Sequence, residues 1–600
     1  MIDIEALRNT EAHIISLGSH PGIIQTILDF DWLAGKERPS VKAVIAAGRK
    51  SERYYWGKDQ ILLPVYESEK ALPSELGDRA NFILNVSSGR RTLSSTQSAL
   101  AHLPMLVGGN LFAEEVPEQH SLSIKKTLNG TDSQRFLVGP ASVGLLIPSI
   151  LKLGAIAGVQ MKQLLEARVF TAGNVAVFSA SGGMTNEIIN ILAQKEKHLS
   201  FALSIGGDRF PVVSPAEAFL AAEADPQTDY IVYYGELGGD DEYKLVDMIN
   251  EERITKPIFA YIAGSVADMF EVSPQFGHAK AMAKTADESA AAKRKALREV
   301  GVKAADSFAQ FMESLDAIDQ QPKRLVAEAD LQQKYQQVAE RSKKLFMSSV
   351  SGENEGEVEI LGQNLLEFAE NNSFGQVVAG LLLGRPAKSE ILPQLMDFLF
   401  KLLADHGPYQ SGVVNTMISA RAGKDMVSSL SAGLLTIGPR FGGAINDAAG
   451  NWLAGVAAEA KPARFVEEFA SQRKYIPGIG HKKYRLDNPD PRVEKLLAFT
   501  ESLEHRPHVD FAQAVAKVTT AKKANLILNV DGTISAVMLD ILQQAEGYST
   551  EELKQLVEIE FFNALFILPR SLGFVAHFLD QKRIDEGLFR LSPDEIGGIN

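Results

Sequence analysis

Short apolar runs alternate with amphipathic stretches from residue 10 to about 270. Lys42 to Ala47, Ala80 to Val86, Val175 to Phe178, Tyr230 to Tyr234 and Pro257 to Ala263 have the length and composition of buried strands. The segments between them repeat at helical spacing, so the pattern predicts α/β architecture. The turn-rich Gly139-Pro140-Ala141-Ser142-Val143-Gly144 separates two such regions of comparable size, with a boundary near 138. A helix opened by the capping pair Thr285 and Glu288 is expected to end near Val300 and Gly301. Residues 305 to 345, rich in Gln, Lys, Glu and Asp, keep helical spacing without a strand-like run and read as a helical connector. Residues 346 to 361 read as strand, Ser351-Gly352-Glu353-Asn354-Glu355-Gly356 turn and strand, and helical periodicity dominates from there to residue 600. The expected domains are therefore 1–137, 138–310, a linker at 311–345, and a mostly helical domain at 346–600. No repeat of 20 to 50 residues interrupts this order, and low complexity is confined to Ala290 to Lys295.

Composition narrows the chemistry. A chain of 600 residues with 45% hydrophobic content can bury several cores. It has no Cys, which excludes thiol nucleophiles, Cys-ligated zinc and disulfides, and fits a reducing cytoplasm. Met1 to Ser16 carries Asp3, Glu5, Arg8, Glu11 and His13 and has no signal-peptide pattern. The most apolar stretch, Val143 to Val159, is broken by Pro148 and Lys152 and reads as buried core instead of a membrane span. A net charge of −14 gives no footprint for nucleic acid, so small-molecule chemistry is expected, and no metal ligand set is predicted.

Three features of the first half suggest a site. Ser181, Gly182 and Gly183 lie between the Val175–Phe178 run and a helical segment, and free N–H groups at such a helix start favour phosphate or carboxylate. A plain turn with a Ser cap reads the same way. Gln275-Phe276-Gly277-His278-Ala279 puts His278 among small residues in a loop, as a covalent phosphoryl carrier needs, and also as an ordinary surface histidine would sit. Gly235-Glu236-Leu237-Gly238-Gly239 closes a strand and brings a carboxylate to the carboxyl edge of a sheet, either as a partner for His278 or as a solvated loop acid.

Taken together these motifs resemble the succinyl-CoA synthetase alpha subunit and, more closely, the corresponding part of ATP-citrate lyase. The likeness extends through Leu28-Asp29-Phe30-Asp31-Trp32, Tyr55-Trp56-Gly57-Lys58 and Ile205-Gly206-Gly207-Asp208-Arg209-Phe210-Pro211. It implies that His278 is transiently phosphorylated, that Glu236 partners it, and that Ser181, Gly182 and Gly183 hold phosphate and substrate carboxylate. It also implies that residues 1–137 form a Rossmann-like CoA-binding domain and 138–310 a flavodoxin-like ligase domain. The turn Ser16-Leu17-Gly18-Ser19-His20-Pro21-Gly22 offers Gly18 and Ser19 to CoA without the full GxGxxG spacing.

The helical half carries Ala404-Asp405-His406-Gly407-Pro408, Ile476-Pro477-Gly478-Ile479-Gly480-His481 and Asn529-Val530-Asp531-Gly532. Two histidines and an aspartate suit enolisation of a thioester or its reverse, with Asp531 near the α-carbon and His406 and His481 donating to carbonyl oxygens. Each alone also reads as a structural histidine or a helix cap. These segments resemble citrate synthase, and Ala420-Arg421-Ala422-Gly423-Lys424-Asp425 with Thr436-Ile437-Gly438-Pro439-Arg440-Phe441-Gly442-Gly443 resembles its lyase branch. The resemblance implies a citryl-CoA lyase domain in which Arg492 and Arg570 grip citrate or oxaloacetate carboxylates, a task suited to planar guanidinium forks. Arg492 also reads as a turn-stabilising arginine beside prolines. Two positions depart from the family: Ser411-Gly412-Val413-Val414-Asn415-Thr416 replaces a Ser-Gly-Ala-His-Asn-Thr pattern, and Lys482 follows His481 where Arg is usual.

The implied reaction activates citrate as citryl phosphate, converts it to citryl-CoA and cleaves that to acetyl-CoA and oxaloacetate. No ATP-grasp region is visible, so ATP and Mg2+ are expected on a beta-type partner subunit, with the helical domain forming a homotetrameric core. A ligase and lyase for a related acyl-CoA, or a non-catalytic assembly subunit, are the alternatives.

Overall fold

The computed structural model describes residues 2–129, 135–265, 281–320, 322–354, 356–438 and 441–598. His278 lies outside the described residues. The chain divides into two compact units, Met1–Leu345 and Phe346–Asn600.

The first unit contains two seven-stranded sheets. One uses β1 (Ile14–Leu17), β2 (Val41–Ile45), β3 (Ser51–Trp56), β4 (Asp59–Tyr66), β5 (Phe82–Asn85), β6 (Gly108–Leu111) and β7 (Phe136–Val138) in the order β3-β4-β2-β1-β5-β6-β7. All its neighbours are parallel except β3 and β4, which form a hairpin turning at Gly57 and Lys58. Every residue of β1 and β5 is buried, as expected of strands covered on both faces. Strand order reverses beside β1, which leaves a crevice at the carboxyl ends of β1 and β5, where such sheets bind ligands.

The second sheet uses β8 (Leu145–Ile147), β9 (Leu151–Leu153), β11 (Val175–Ser179), β12 (Leu199–Ser204), β13 (Tyr230–Glu236), β14 (Ile258–Ala263) and β15 (Lys303–Ala305), ordered β15-β14-β13-β11-β12-β8-β9. Five strands are parallel, and β8 and β9 form an antiparallel edge. This hairpin occupies the most apolar stretch of the first half. Its Lys152 is buried with Nζ donating to the Gly154 carbonyl at 2.6 Å. The helix after β14 starts later than the sequence suggests: Thr285 caps only a short 3-10 turn, and Ser289 caps the Ala290–Glu299 helix by accepting from the Ala292 N–H at 3.2 Å.

The connector is not helical throughout. Its Lys323–Arg324 segment, β16, pairs antiparallel with β10 (Thr171–Ala172), and the Glu328–Gln337 helix then crosses to the first sheet. There Lys334 Nζ donates to the Trp32 carbonyl at 2.8 Å, Arg341 Nε donates to the Gly57 carbonyl at 2.8 Å, and Arg341 pairs with the buried Asp29. The connector is therefore a strap over both α/β halves.

The second unit opens with β17 (Ser351–Asn354), β18 (Glu357–Ile360) and β19 (Gln363–Asn364). The Ser351–Asn354 segment expected as turn is thus strand, paired antiparallel with β18. Helices follow from Leu365–Asn371 to Phe561–Ile584 around a core that includes Trp452, Leu395, Met538 and Phe562. The Val530–Gln544 helix is buried along nearly its whole length. The 24-residue Phe561–Ile584 helix is long and apolar enough to cross a membrane, yet it buries Phe561, Phe562, Leu565, Phe566, Phe574 and Arg570 inside this unit.

Candidate active sites

In the first unit, β11 ends at the carboxyl edge of the second sheet and Ser181 caps the Gly182–Gln194 helix. Its Oγ accepts from the Met184 N–H at 3.4 Å, while Ser179 Oγ accepts from the Ser181 N–H at 3.0 Å. A Cβ at Gly182 would strike Val143 at 2.6 Å, whereas one at Gly183 would meet nothing within 4 Å. The helix start is thus packed on one side and open on the other, as an anion site requires. Tyr234 of β13 pairs in register with Ser179, so Ser181 and Glu236 stand two residues further on along the same edge. Glu236 is half-buried.

At the first sheet, Gly18 has φ +92° and a Cβ there would sit 3.2 Å from the Ser87 nitrogen, so the loops after β1 and β5 touch only because no side chain intervenes. Ser19 Oγ donates to Glu52 Oε2 at 2.9 Å, which commits its proton to a buried carboxylate. Tyr54 also donates to Glu52, and Arg49 pairs with it at 3.0 Å. Burial, then the Glu52 carboxylate, holds the Tyr54 hydroxyl well above its ordinary pKa. The loops after β2 and β5 add four exposed cations, Arg49, Lys50, Arg90 and Arg91. Sequence reasoning passed over them. Their signal was a basic pair directly after glycine at two strand ends, Gly48-Arg49-Lys50 and Gly89-Arg90-Arg91. The 139–144 loop lies between the two sheet edges, with Asn110 Nδ2 donating to the Ser142 carbonyl at 3.3 Å and Val143 against Gly182.

The second unit brings His406, His481, Asp531, Arg492 and Arg570 into one electrostatic neighbourhood. Gly478 has φ +87° and packs on Gly532, where a Cβ on either would lie 2.6 Å or less from the other's backbone. Asn529 ties the same junction, accepting from the Gly532 N–H at 3.1 Å and donating to the Gly480 carbonyl at 3.0 Å. This contact sets His481 beside the first turn of the Val530–Gln544 helix, which carries Asp531. His481 Nδ1 accepts from the Lys483 and Tyr484 N–H groups at 3.0 and 2.9 Å, so the neutral ring keeps its proton on Nε2.

His406 is delivered from another direction. On the Phe561–Ile584 helix, Gly573 lies so close to the Ala404 carbonyl that a Cβ would approach to 2.1 Å. One turn on, His577 Nε2 lies 3.2 Å from Asp405 Oδ1. One turn back, Arg570 follows the interior Pro569 and is 4% exposed, with Nε and Nη1 buried and lacking a hydrogen-bond partner among the described residues. Arg492 is held by a two-pronged contact with the buried Asp490 at 3.0 and 2.7 Å, and its Nη1 lies 3.4 Å from His406 Nδ1.

These positions set the protonation states. Burial, then the Arg492 and Arg570 charges, lowers the His406 pKa. Burial lowers that of His481, and the opposing pull of Asp490 is not enough to restore it. Both rings therefore stay neutral below the usual imidazole range. Burial raises the Asp531 carboxyl above its ordinary value although Arg492 and Arg570 pull it down. Its carboxylate has no hydrogen-bond partner among the described residues. The arrangement is a neutral donor pair, a reluctant carboxylate and an underused guanidinium, which together can polarise carbonyl oxygens, handle a carbon acid and grip an anion.

Comparison with known proteins places these sites in a family. Residues 359–592 match the citrate synthase C-terminal domain family and residues 178–303 the CoA-ligase family. ATP-citrate synthase subunit 1 of Sordaria macrospora is 35% identical over 98% of this chain and 89% of its own length. The chain belongs to the ATP-citrate synthase family. Within it, the mouse ATP-citrate synthase is also 35% identical over 99% of this chain, which spans 55% of the mouse protein. A point-mutant ATP citrate lyase of Methanosaeta concilii in complex with (3S)-citryl-CoA is similar in structure, with a TM-score of 0.50, 32% identity, and coverage of 98% of this chain and 97% of that one. The ATP citrate lyase of Methanothrix soehngenii, in complex with citrate and coenzyme A, gives the same values. Of the two family departures in this chain, Val414 is half-buried next to the fully buried Val413 on the Ser411–Arg421 helix, and Lys482 is exposed beside His481.

Proposed function

We propose that this chain is the CoA-binding and citryl-CoA-cleaving subunit of an ATP-citrate synthase, converting citrate, ATP and CoA to acetyl-CoA, oxaloacetate, ADP and phosphate. The observation that carries the lyase half is the convergence of Asp531, His406 and Arg492 around the unsatisfied Arg570, with His481 in the field of Arg492. The complexes of archaeal relatives with citryl-CoA, and with citrate and coenzyme A, support the substrate assignment. In the cleavage step the citryl hydroxyl passes its proton to the Asp531 carboxylate as the oxaloacetate carbonyl forms, and the electron pair of the broken carbon–carbon bond moves onto the acetyl thioester as an enolate. Neutral imidazole Nε2–H groups steady the carbonyl oxygens without holding the negative charge too tightly. Asp531, whose affinity for a proton is raised by burial, then delivers that proton to the enolate carbon. Arg570 and Arg492 bind carboxylates of the tricarboxylate portion.

In the first unit, Arg49, Lys50, Arg90 and Arg91 at the crevice, with the close backbone approach at Gly18, suit the phosphates of CoA, while the Ser19 hydroxyl stays with Glu52. Ser181, Gly182, Gly183 and Glu236 serve the phosphoryl-transfer half with His278. The subunit 1 designation of fungal relatives supports a second chain, to which we assign the ATP-grasp fold, ATP and Mg2+. Exposed Val427, Leu435 and Leu572 in the helical unit support self-association into a tetrameric core. The absence of Cys supports a cytoplasmic location.

The deciding assay is oxaloacetate release from citryl-CoA by this chain alone, since that step needs neither ATP nor a partner. Release that is abolished in Asp531→Ala is the expected outcome. A folded chain that releases nothing would move the assignment to another acyl-CoA or to an assembly role.

A further inference from the structure

Beneath the Gly235–Gly239 loop lies a buried charged group that the reaction scheme above does not use. Lys293, on the Ala290–Glu299 helix, is 1% exposed. Its Nζ donates to the Glu236 carbonyl at 3.0 Å and the Gly238 carbonyl at 2.6 Å, and forms an ion pair with Glu242 Oε2 at 2.6 Å. Two ammonium protons thus go to the two carbonyls, and the Glu242 carboxylate supplies the countercharge as a close ion pair without hydrogen-bond geometry. Glu242 is itself 3% exposed and accepts the Tyr233 hydroxyl on its other oxygen at 2.9 Å. Gly235 makes room for this, because a Cβ there would lie 2.5 Å from Glu242 Oε1. The loop is tied from two further sides by the Leu237 N–H to the Ala263 carbonyl at 3.0 Å and the Gly238 N–H to the Glu288 carbonyl at 2.9 Å.

A fully desolvated ion pair contributes little net stability compared with apolar side chains of the same volume. What this pair supplies, and an apolar pair would not, is a fixed position for the backbone at residues 236 and 238. Those carbonyls follow directly after the point from which the Glu236 side chain leaves the strand edge, two residues past the Ser179–Tyr234 register pair. We propose that Lys293, neutralised by Glu242, is a positioning residue that sets the Glu236 carboxylate for the phosphoryl-transfer half of the reaction. The proposal rests on the role given to Glu236 above.

The test uses the complex of this chain with its ATP-binding partner, isolated through an affinity tag on this chain. The paired substitution Lys293→Met with Glu242→Gln removes both charges together, so neither is left buried alone. ATP-dependent citrate cleavage is expected to fall about 10- to 100-fold in kcat with KM for citrate unchanged, as a displaced reacting group predicts. ATP-independent citryl-CoA cleavage, which draws only on the helical unit, should keep its full rate and so fixes the amount of active chain, while a retained cooperative unfolding transition of the first unit in calorimetry controls for its folding. In a Glu236→Gln background the paired substitution should cost less than about twofold more, because the two act through one group. An undiminished ATP-dependent rate, or losses that multiply with Glu236→Gln, overturns the proposal. An undiminished rate in Glu236→Gln alone overturns the role of Glu236 itself, a separate and recognisable failure.

Discussion

Arg570 holds two buried nitrogens without partners, a condition that opposes folding until an anion is bound. Arg570→Met should therefore raise the midpoint of thermal unfolding of the free protein by about 2 °C or more while raising KM for citryl-CoA at least about tenfold. Loss of stability in that variant, measured by calorimetry, would contradict the reading of Arg570 as an anion receptor. Asp531 obeys the same logic with pH as the variable. Its folded pKa is raised above the unfolded value, so the native state holds its proton more tightly, and stability drains away as pH rises through the raised value. Asp531→Asn removes that dependence: the variant should gain on the parent as pH rises from about 4 to neutrality and match it below. Equal pH profiles of unfolding for the two proteins would count against a raised pKa. At this scale the sequence was legible where a residue type had few other uses. Asp531 and His481 stood in glycine-marked segments, whereas the idle nitrogens of Arg570 depend on a burial that no local pattern reports. Arg49, Lys50, Arg90 and Arg91 were missed because an exposed basic pair looks the same anywhere on a surface.

Elements bring these residues together through a few close approaches. The Phe561–Ile584 helix presents Arg570, Gly573 and His577 on one face, and the glycine lets that face press on the Ala404 carbonyl just before His406. Gly573→Ala would push backbone from backbone and should cost about 1–3 kcal/mol of stability in the helical unit. Citryl-CoA cleavage should suffer more than that cost implies, because His406 and Arg570 part company. Calorimetry with steady-state kinetics on the same preparation distinguishes this from a variant that is merely less stable, whose kcat at a temperature well below unfolding would be unchanged. Strand and helix identities were readable from apolar period in both α/β halves. The short β16, the late start of the Ala290–Glu299 helix and the reach of the strap were not, since each is decided by what the segment packs against.

Across the whole molecule, each compact unit owns a core, and the two residues at the boundary in sequence are exposed, Leu345 by 87% and Phe346 by 91%. Brief chymotrypsin treatment should cut there first and yield fragments of residues 1–345 and 346–600, the second still cleaving citryl-CoA. Mass spectrometry that finds early cuts inside either core instead would show that the units are not independently stable. The strap carries a different consequence, one that concerns the order in which the protein is made. Arg341 meets Asp29 across 312 residues of chain and Lys334 meets Trp32 across 302. During translation at roughly 5–20 residues per second, Asp29 and Trp32 must wait about 15 to 60 s before the residues that fasten them are made. For that interval Asp29 and Trp32, on the Pro21–Leu33 helix, stay unfastened on the nascent chain, so this half cannot finish folding at the pace at which it is synthesised.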